Sequence, residues 1–464
     1  MLLFSLLASA SIVEEYVAMG PGFGGGPDSI ANTAALNSSA SRTLKWVKIS
    51  YDTTSSSASS ATMSFVPASP NLPELGKWQD LAMPGLALTA RVLDDKLYLY
   101  LALKPASNQG GGCCADTLRV VDRVTGTAVD VDLDTAITQA VGAGKQAHAT
   151  HTFDVVKNAS EAGGVVVYCN VHFVEKGALG SVLSDGVVAL ALSSPLTTVA
   201  TVIPTASGAP FWNIWEAIGT LDTALNASVF KVQYYKSTAS PEEWHGNGVT
   251  PFKSIDGIRY ISITHRFAAE SVVVKDPFVY SDGGKIVQRF GTPKHFTGDG
   301  TGAITYRKFG VPTDTLGWSG GVHNTFYTSE SPSAALKGAE SISLFVNSDT
   351  SNTHSFAFEF AFKPVHEDPA KHDYNDATFD TLSTHSALGY LAQAQGGVRI
   401  IGDGVFLCAS GVVPGGPGAG SSKLGGGGFE IADASGAVAS YVDLLYGATA
   451  QIYDPYIRVV KGDA

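Results

Sequence analysis

Three histidines in this chain share one local setting. His151 opens HTFDVV (151–156) and is followed after a turn by VVVY. His245 lies in WHGNGV, ahead of RYISITHR (259–266). His323 lies in GGVHNTFYT, ahead of SISLFVN (341–347). Each precedes a pair of strand-like segments, and Arg266 ends a strand between two of them. Taken singly, a histidine at a strand end most simply hydrogen-bonds there. Three in one setting, in separate repeats, would converge if the first strands of successive repeats faced one axis. The spacings are each about two repeats at roughly 40–45 residues per unit. Imidazoles gathered in this way can exchange protons near neutral pH, act as nucleophiles, or hold a zinc ion.

The elements that would position them are strands. KLYLYLAL (96–103), GVVVYCNV (164–171), SVVVKDPFVY (271–280), SFAFEFAF (355–362) and VFLCAS (405–410) are short, β-branched and aromatic, and several alternate with period two. Asp256-Gly257, Asp282-Gly283 and Asp403-Gly404 mark turns. A unit of strand, Gly-containing turn and strand recurs at 120–133, 279–290 and 430–442. DTAITQAV (134–141) reads as helical. LKWVKISYD (44–52) reads as one strand inside a Ser/Gly-rich entry segment. So many antiparallel strands predict an all-β protein. A β-propeller suits them better than a sandwich, because radial repetition protects sheet edges. The expected organisation is a signal peptide over 1–16, a short, poorly ordered Ser/Gly-rich segment over 17–82, and a propeller over 83–464.

Composition bounds the function. The formal charge is −12, with charged residues at 16% and apolar residues at 44% of 464. A nucleic-acid partner would need clustered Lys and Arg, which are not present, and no apolar run reaches the roughly 18 residues of a membrane span. The apolar start MLLFSLLASASIV and sequons at Asn37, Asn158 and Asn226 predict secretion. Cys113, Cys114, Cys169 and Cys408 lack metal-ligand spacing; they read either as buried thiols or with Cys113 or Cys114 linked to Cys169. GPGFGGG (20–26) and GAGK (142–145) lack the context of a phosphate loop. HEDPAKHDYND (366–376) reads as a solvated loop, with a divalent-cation site as the alternative.

Over roughly residues 85–460 the order of motifs resembles the PAPS-independent arylsulfate sulfotransferases. HGNGV (245–249) followed by ISITHR (261–266) is similar to that family's H-x-N-S-V element and the strand ending S-S-R. GKIVQRFG (284–291) resembles its G-x-(I/V)-x-W-R-(L/F)-G strand. VHNTF (322–326) then ISLFVN (342–347) resembles its Q-H-(D/T)-A element and I-x-L-F-D-N strand. FWNIWEAI (211–218), HTFDVV (151–156) and GGVRIIGDGVFL (396–407) match further elements in order. The chain departs from the pattern at Gly248 (Ser), Gln288 (Trp), Val322 (Gln), Asn324, Thr325 and Val346 (Asp).

The resemblance implies a six-bladed propeller that moves a sulfuryl group from a phenolic sulfate donor to a phenol acceptor. His323 takes the nucleophile position and forms a sulfohistidine; His151, His245 and Arg266 join it, and Asn247 binds substrate or holds an imidazole. No cofactor or metal is required. Adjacent to Arg266, His265 alternates to the opposite strand face and stays outside the predicted site. Trp212, Trp215, Trp244 and Trp318 either wall an aromatic pocket or pack in the core. Two other functions fit the same residues: a non-catalytic propeller that binds glycans or proteins, and a metal-dependent propeller hydrolase or lyase liganded by His151, His245 and His323.

Overall fold

In a computed structural model of the chain, the structure describes residues 12–18, 22–23, 42–43, 46–52, 57, 61–65, 82–83, 87–93, 98–103, 114–122, 124–160, 163–177, 180–218, 245–266, 270–291, 322–347, 355–364, 382–387, 394–412, 428–433, 438–443, 451–452 and 459–461. The predicted all-β character holds. Six antiparallel sheets account for most of it, each built largely from strands consecutive in sequence.

The first sheet joins Val459–Lys461, Ile12–Ala18, Trp46–Asp52 and Thr62–Phe65 in that order, pairing a strand near the end of the sequence with one near its start. The second runs Ala87–Val92, Tyr98–Leu103, Thr117–Asp122 and Ala128–Asp132. The third centres on His148–Lys157, Val165–Gly177 and Gly180–Leu192. The fourth runs Gly246–Lys253, Arg259–His265, Glu270–Lys275 and Ile286–Gly291. The fifth runs Val322–Thr328, Ser341–Val346, Phe356–Ala361 and Leu382–Ala387. The sixth runs Ala394–Gly402, Val405–Val412, Gly428–Asp433 and Val438–Asp443.

The recurrent unit read from the sequence appears as 117–122 with 128–132 and as 428–433 with 438–443. The helix expected at 134–141 spans Leu133–Val141, with the Asp132 side chain accepting from the Thr135 amide as its N-cap. The entry segment contributes more strand than its composition predicts. Trp46–Asp52 forms as expected, but it is flanked by Ile12–Ala18, which crosses the expected cleavage boundary at residue 16, and by Thr62–Phe65. Val47, Ile49 and Tyr51 alternate along it, and Ile49 and Tyr51 are buried. Residues 366–376 and most of the Gly-rich stretch 412–428 lie outside the described residues.

The cores lie between neighbouring sheets. Tyr100, Val120, Val167, Val188, Ile261 and Val272 pack in one cluster shared by the second, third and fourth sheets. Val273, Leu344, Phe358 and Phe360 pack between the fourth and fifth, and Phe345, Val398, Phe406 and Cys408 between the fifth and sixth. Each fully buried aliphatic or aromatic side chain contributes about 1.5–3 kcal/mol. The central strands are buried along their whole length because both faces meet another sheet; SISLFV (341–346) and FAFEFA (356–361) are buried at every position.

Two buried polar ties link the same sheets. Tyr168 donates its hydroxyl to Asp276 Oδ2 at 2.8 Å across the third and fourth sheets. Gln288 Nε2 donates to the Ala361 carbonyl at 2.9 Å and its Oε1 accepts from the Lys363 amide at 3.0 Å, joining the fourth to the fifth. Gln288 stands where the sulfotransferase pattern has Trp, and both ends of its amide are satisfied by the neighbouring sheet.

This stacking positions the site because the first strands of the third to sixth sheets lie in succession, His148–Lys157 against Gly246–Lys253, then Val322–Thr328, then Ala394–Gly402. Side-chain to backbone bonds join the middle pair: Thr250 Oγ1 donates to the Thr325 carbonyl at 3.3 Å, and Asn247 Nδ2 to the Val322 carbonyl at 3.4 Å.

Candidate active site

The first strands are irregular where the predicted residues lie. Pairing of His148–Lys157 with its neighbour shifts register between Ala149 and Phe153, the interval that holds His151. The same break occurs between Gly246 and Gly248, around Asn247, and between His323 and Thr325, around Asn324. A bulge inserts one unpaired residue and re-aims its side chain. His245 and Asn324 accordingly take left-handed backbone conformations, with φ of 55° and 25°. Such conformations cost about 1–3 kcal/mol in a non-glycine residue and persist where the surroundings enforce them.

The bulges bring four of the five predicted residues to one place. His245, Asn247 and His323 are buried, at 7%, 1% and 4% exposure, and Arg266 is half-buried. The Arg266 backbone N–H donates to the His245 carbonyl at 2.8 Å, which fixes the arginine beside the histidine segment. Asn247 Nδ2 lies 3.2 Å from His323 Nε2. With the amide donating, His323 carries its proton on Nδ1, and its single Nε2 lone pair accepts that hydrogen bond. Burial holds the His323 imidazole well below its ordinary range, and the charges of Arg266 and His245 push it further the same way. A neutral ring next to a guanidinium can attack an electrophile whose oxygens the guanidinium binds, once the amide gives up its bond to Nε2. The backbone of His151 lies in the strand His148–Lys157; its side chain lies outside the described residues.

Two departures from the sulfotransferase pattern have a local explanation. Gly248 pairs with Thr264. A Cβ at 248 would lie 2.6 Å from Thr264 Oγ1 and 3.0 Å from Asn324 Oδ1, so the hydroxyl that the pattern carries at 248 has its room taken by one from the opposite strand. Val322 and Val346 also pair with each other, and both are fully buried, so two polar pattern positions become one apolar contact. Gly248→Ala is therefore expected to destabilise the protein by about 1–3 kcal/mol, as overpacking does. Thr264→Ala in the same chain should recover most of that loss. Urea unfolding of the single and double variants measures both.

Sequence reasoning missed a second layer behind this centre. His172, Asp185 and His265 are buried together: His172 Nε2 lies 3.1 Å from Asp185 Oδ1, and His265 Nε2 3.9 Å from Asp185 Oδ2. The His172 ring lies 5.5 Å from that of His245, tilted by 56°. Fully buried Asn170, on the same strand face as His172, leaves no room for a side chain at Gly246. Asn170 and His172 lie two apart on Val165–Gly177, and the strand expected over 164–171 ends before His172. His265 is fully buried, with Nε2 3.9 Å from Asp185 Oδ2.

Other candidates resolve into the core. Trp212 donates Nε1 to the Gly284 carbonyl at 2.9 Å, and Trp215 to Ser184 Oγ at 2.8 Å; both are buried. Trp244 and Trp318 lie outside the described residues. Cys169 and Cys408 are buried free thiols, so the structure pairs neither, and burial pushes the Cys169 thiol up to about 12. Among the described residues no group of three His, Cys, Asp or Glu side chains is placed to hold a metal ion. No described helix is long and apolar enough to cross a membrane.

Fold and site together define an antiparallel β protein with imidazole, amide and guanidinium groups gathered at the facing edges of adjacent sheets. No family model and no curated protein sequence matches the chain. Among solved structures it is similar to a family GH43 β-1,3-galactosidase with galactodeoxynojirimycin, at 12% identity and TM-score 0.36, covering 79% of this chain and 96% of that one. It is also similar to an exo-β-1,3-galactanase from Phanerochaete chrysosporium, at 8% identity and TM-score 0.34, covering 78% and 65%. A polysaccharide lyase matches at 11% identity and TM-score 0.28, covering 92% and 100%.

Proposed function

We propose that the six sheets are the blades of a β-propeller, closed by the pairing of 459–461 with 12–18, and that the chain is a sulfuryl transferase working without PAPS. The observation that supports this reading best is the assembly of His323, Asn247, His245 and Arg266, from two sheets, around a neutral imidazole lone pair. In the first half-reaction Asn247 releases His323 Nε2, which attacks the sulfur of a phenolic sulfate. The N–S bond forms, the S–O bond to the phenol breaks, and His245 supplies the proton that the leaving phenolate takes. In the second, the acceptor phenol gives its proton to His245 and its oxygen attacks the sulfur, freeing His323. Arg266 binds the sulfuryl oxygens, where charge gathers in a loose transition state. Small phenolic sulfates and phenols are the substrates, and neither cofactor nor metal enters the scheme.

A second reading is a propeller hydrolase of carbohydrates or another metal-assisted hydrolase. The imidazole cluster motivates the metal-assisted form, whereas glycoside hydrolysis ordinarily needs two carboxylates flanking one bond. Of the side chains described at this centre, Asp185 alone is a carboxylate, and it lies against two imidazoles. The deciding assay follows nitrophenolate release from 4-nitrophenyl sulfate with and without phenol, and with EDTA. Phenol-dependent release indifferent to EDTA supports the transferase. EDTA-sensitive release without phenol dependence, or release from 4-nitrophenyl glycosides instead, replaces it with a hydrolase. No release from any of them leaves a binding propeller.

The scheme carries its own pH signature. His323 attacks only when neutral, and its site favours the neutral form below the ordinary imidazole range of about 6.5. The acid limb of the donor half-reaction is expected well below pH 6.5. Single-turnover release of nitrophenolate from pH 4 to 8 measures it, and a limb at or above 6.5 would remove His323 as the titrating nucleophile.

A further inference from the structure

We propose that Asp185 is a positioning residue for this site, acting through His172 on His245; the proposal rests on the functional reading above for its kinetic consequence but not for its physical one. Asp185 is 1% exposed and belongs to Gly180–Leu192, the third strand of its sheet, which lies behind the first strand. His172, opposite Asp185 in the ladder, places its Nε2 3.1 Å from Oδ1, a pair that a protonated imidazole would complete. That contact packs the His172 ring, whose neighbour across the gap between sheets is His245, 5.5 Å away.

Of the pair, the His172 ring is the member shown against His245, and Asp185 Oδ2 also lies 3.9 Å from His265 Nε2. The charged or titratable groups around His245 are thus His172 with Asp185 from the third sheet, His265 and Arg266 from its own sheet, and His323 from the fifth. Such a pair does two things to His245. It braces the ring in its strained backbone position, and a protonated His172 beside it makes the His245 imidazolium a stronger acid, so that the proton the leaving phenolate takes is readily given up.

The test combines two readouts. In histidine-labelled protein, nuclear magnetic resonance follows the titration of each imidazole. Asp185→Asn removes the reason for His172 to be charged, and the His245 midpoint should rise by roughly 0.5–1 pH unit, while exposed His148 stays where it is. His172→Gln removes the imidazolium directly and should shift His245 the same way, which keeps the test decisive if Asp185→Asn does not fold. An unmoved His245 midpoint in a folded variant overturns the proposal. The kinetic readout is a kcat reduced about tenfold or more with KM nearly unchanged. If the wild-type protein transfers no sulfuryl group but the midpoint moves, the coupling stands and the functional reading falls. If transfer proceeds and the midpoint does not move, the reverse holds.

Discussion

His323→Ala is expected to abolish phenol-dependent release of nitrophenolate, a loss on the order of 10⁴-fold or more, with the protein still folded. Deleting a covalent nucleophile removes the two-step route altogether, so what remains is whatever the binding groups achieve with water. His323 is 4% exposed, but it sits at the start of Val322–Thr328, where the strand is already interrupted by the break at Asn324, rather than in an apolar cluster. Replacement should therefore cost far less stability than removing Phe358 or Leu344 from the cluster beside it. The readouts are steady-state release, thermal melting, and the mass of protein quenched during turnover. The wild-type chain should gain roughly 80 Da, one sulfuryl group on histidine, and His323→Ala should not. Asn247→Ala makes an informative companion. It removes the amide at 3.2 Å that keeps the proton on Nδ1 but also occupies the attacking Nε2 lone pair, so the intermediate should still form. Substantial transfer by His323→Ala would take the nucleophile role away from this residue.

The strands were legible because their signal is local. Short segments rich in aliphatic and aromatic residues at 98–103, 341–346 and 356–361 each form a buried strand where the pattern puts it. The Ser/Gly-rich entry was not legible for the opposite reason. Ile12–Ala18 is a strand in part because Val459–Lys461 pairs with it, and no window of sequence contains both. His245, Asn247, Arg266 and His323 could be placed together from their motifs, which lie at the starts and ends of strands. His172 and Asp185 could not. They sit within ordinary strand pairs, and what makes them notable is the neighbouring sheet's His245 and His265, a contact set by how sheets stack. Strand pairing within a sheet explains the departures. Gly248 with Thr264, and Val322 with Val346, are cross-strand pairs, so a change at one position is answered at the other, although the two look unrelated in the sequence.

Arg266 supplies the other large effect, and it separates two roles that one residue combines. The guanidinium is half-buried beside the His245 segment, and its charge is the second cause, after burial, that lowers His323. Arg266→Ala removes both the oxygen-binding fork and that charge. The rate should fall about 10³-fold, as it does when preorganised donors to a developing oxyanion are lost. The sign of the pH effect follows from the cause removed. Without the positive neighbour, protonating His323 costs less, so the acid limb of the donor half-reaction should move up toward pH 6.5. Arg266→Lys keeps a charge but replaces the planar fork by a single ammonium point. The limb should then stay near its wild-type position while the rate falls about 10–100-fold. Rates measured across pH for both variants distinguish geometry from charge. A rate drop with an unmoved limb in Arg266→Ala would mean that burial alone sets His323. An unchanged rate in either variant would mean that the sulfuryl oxygens are held elsewhere, and the site would have to be rebuilt without its arginine.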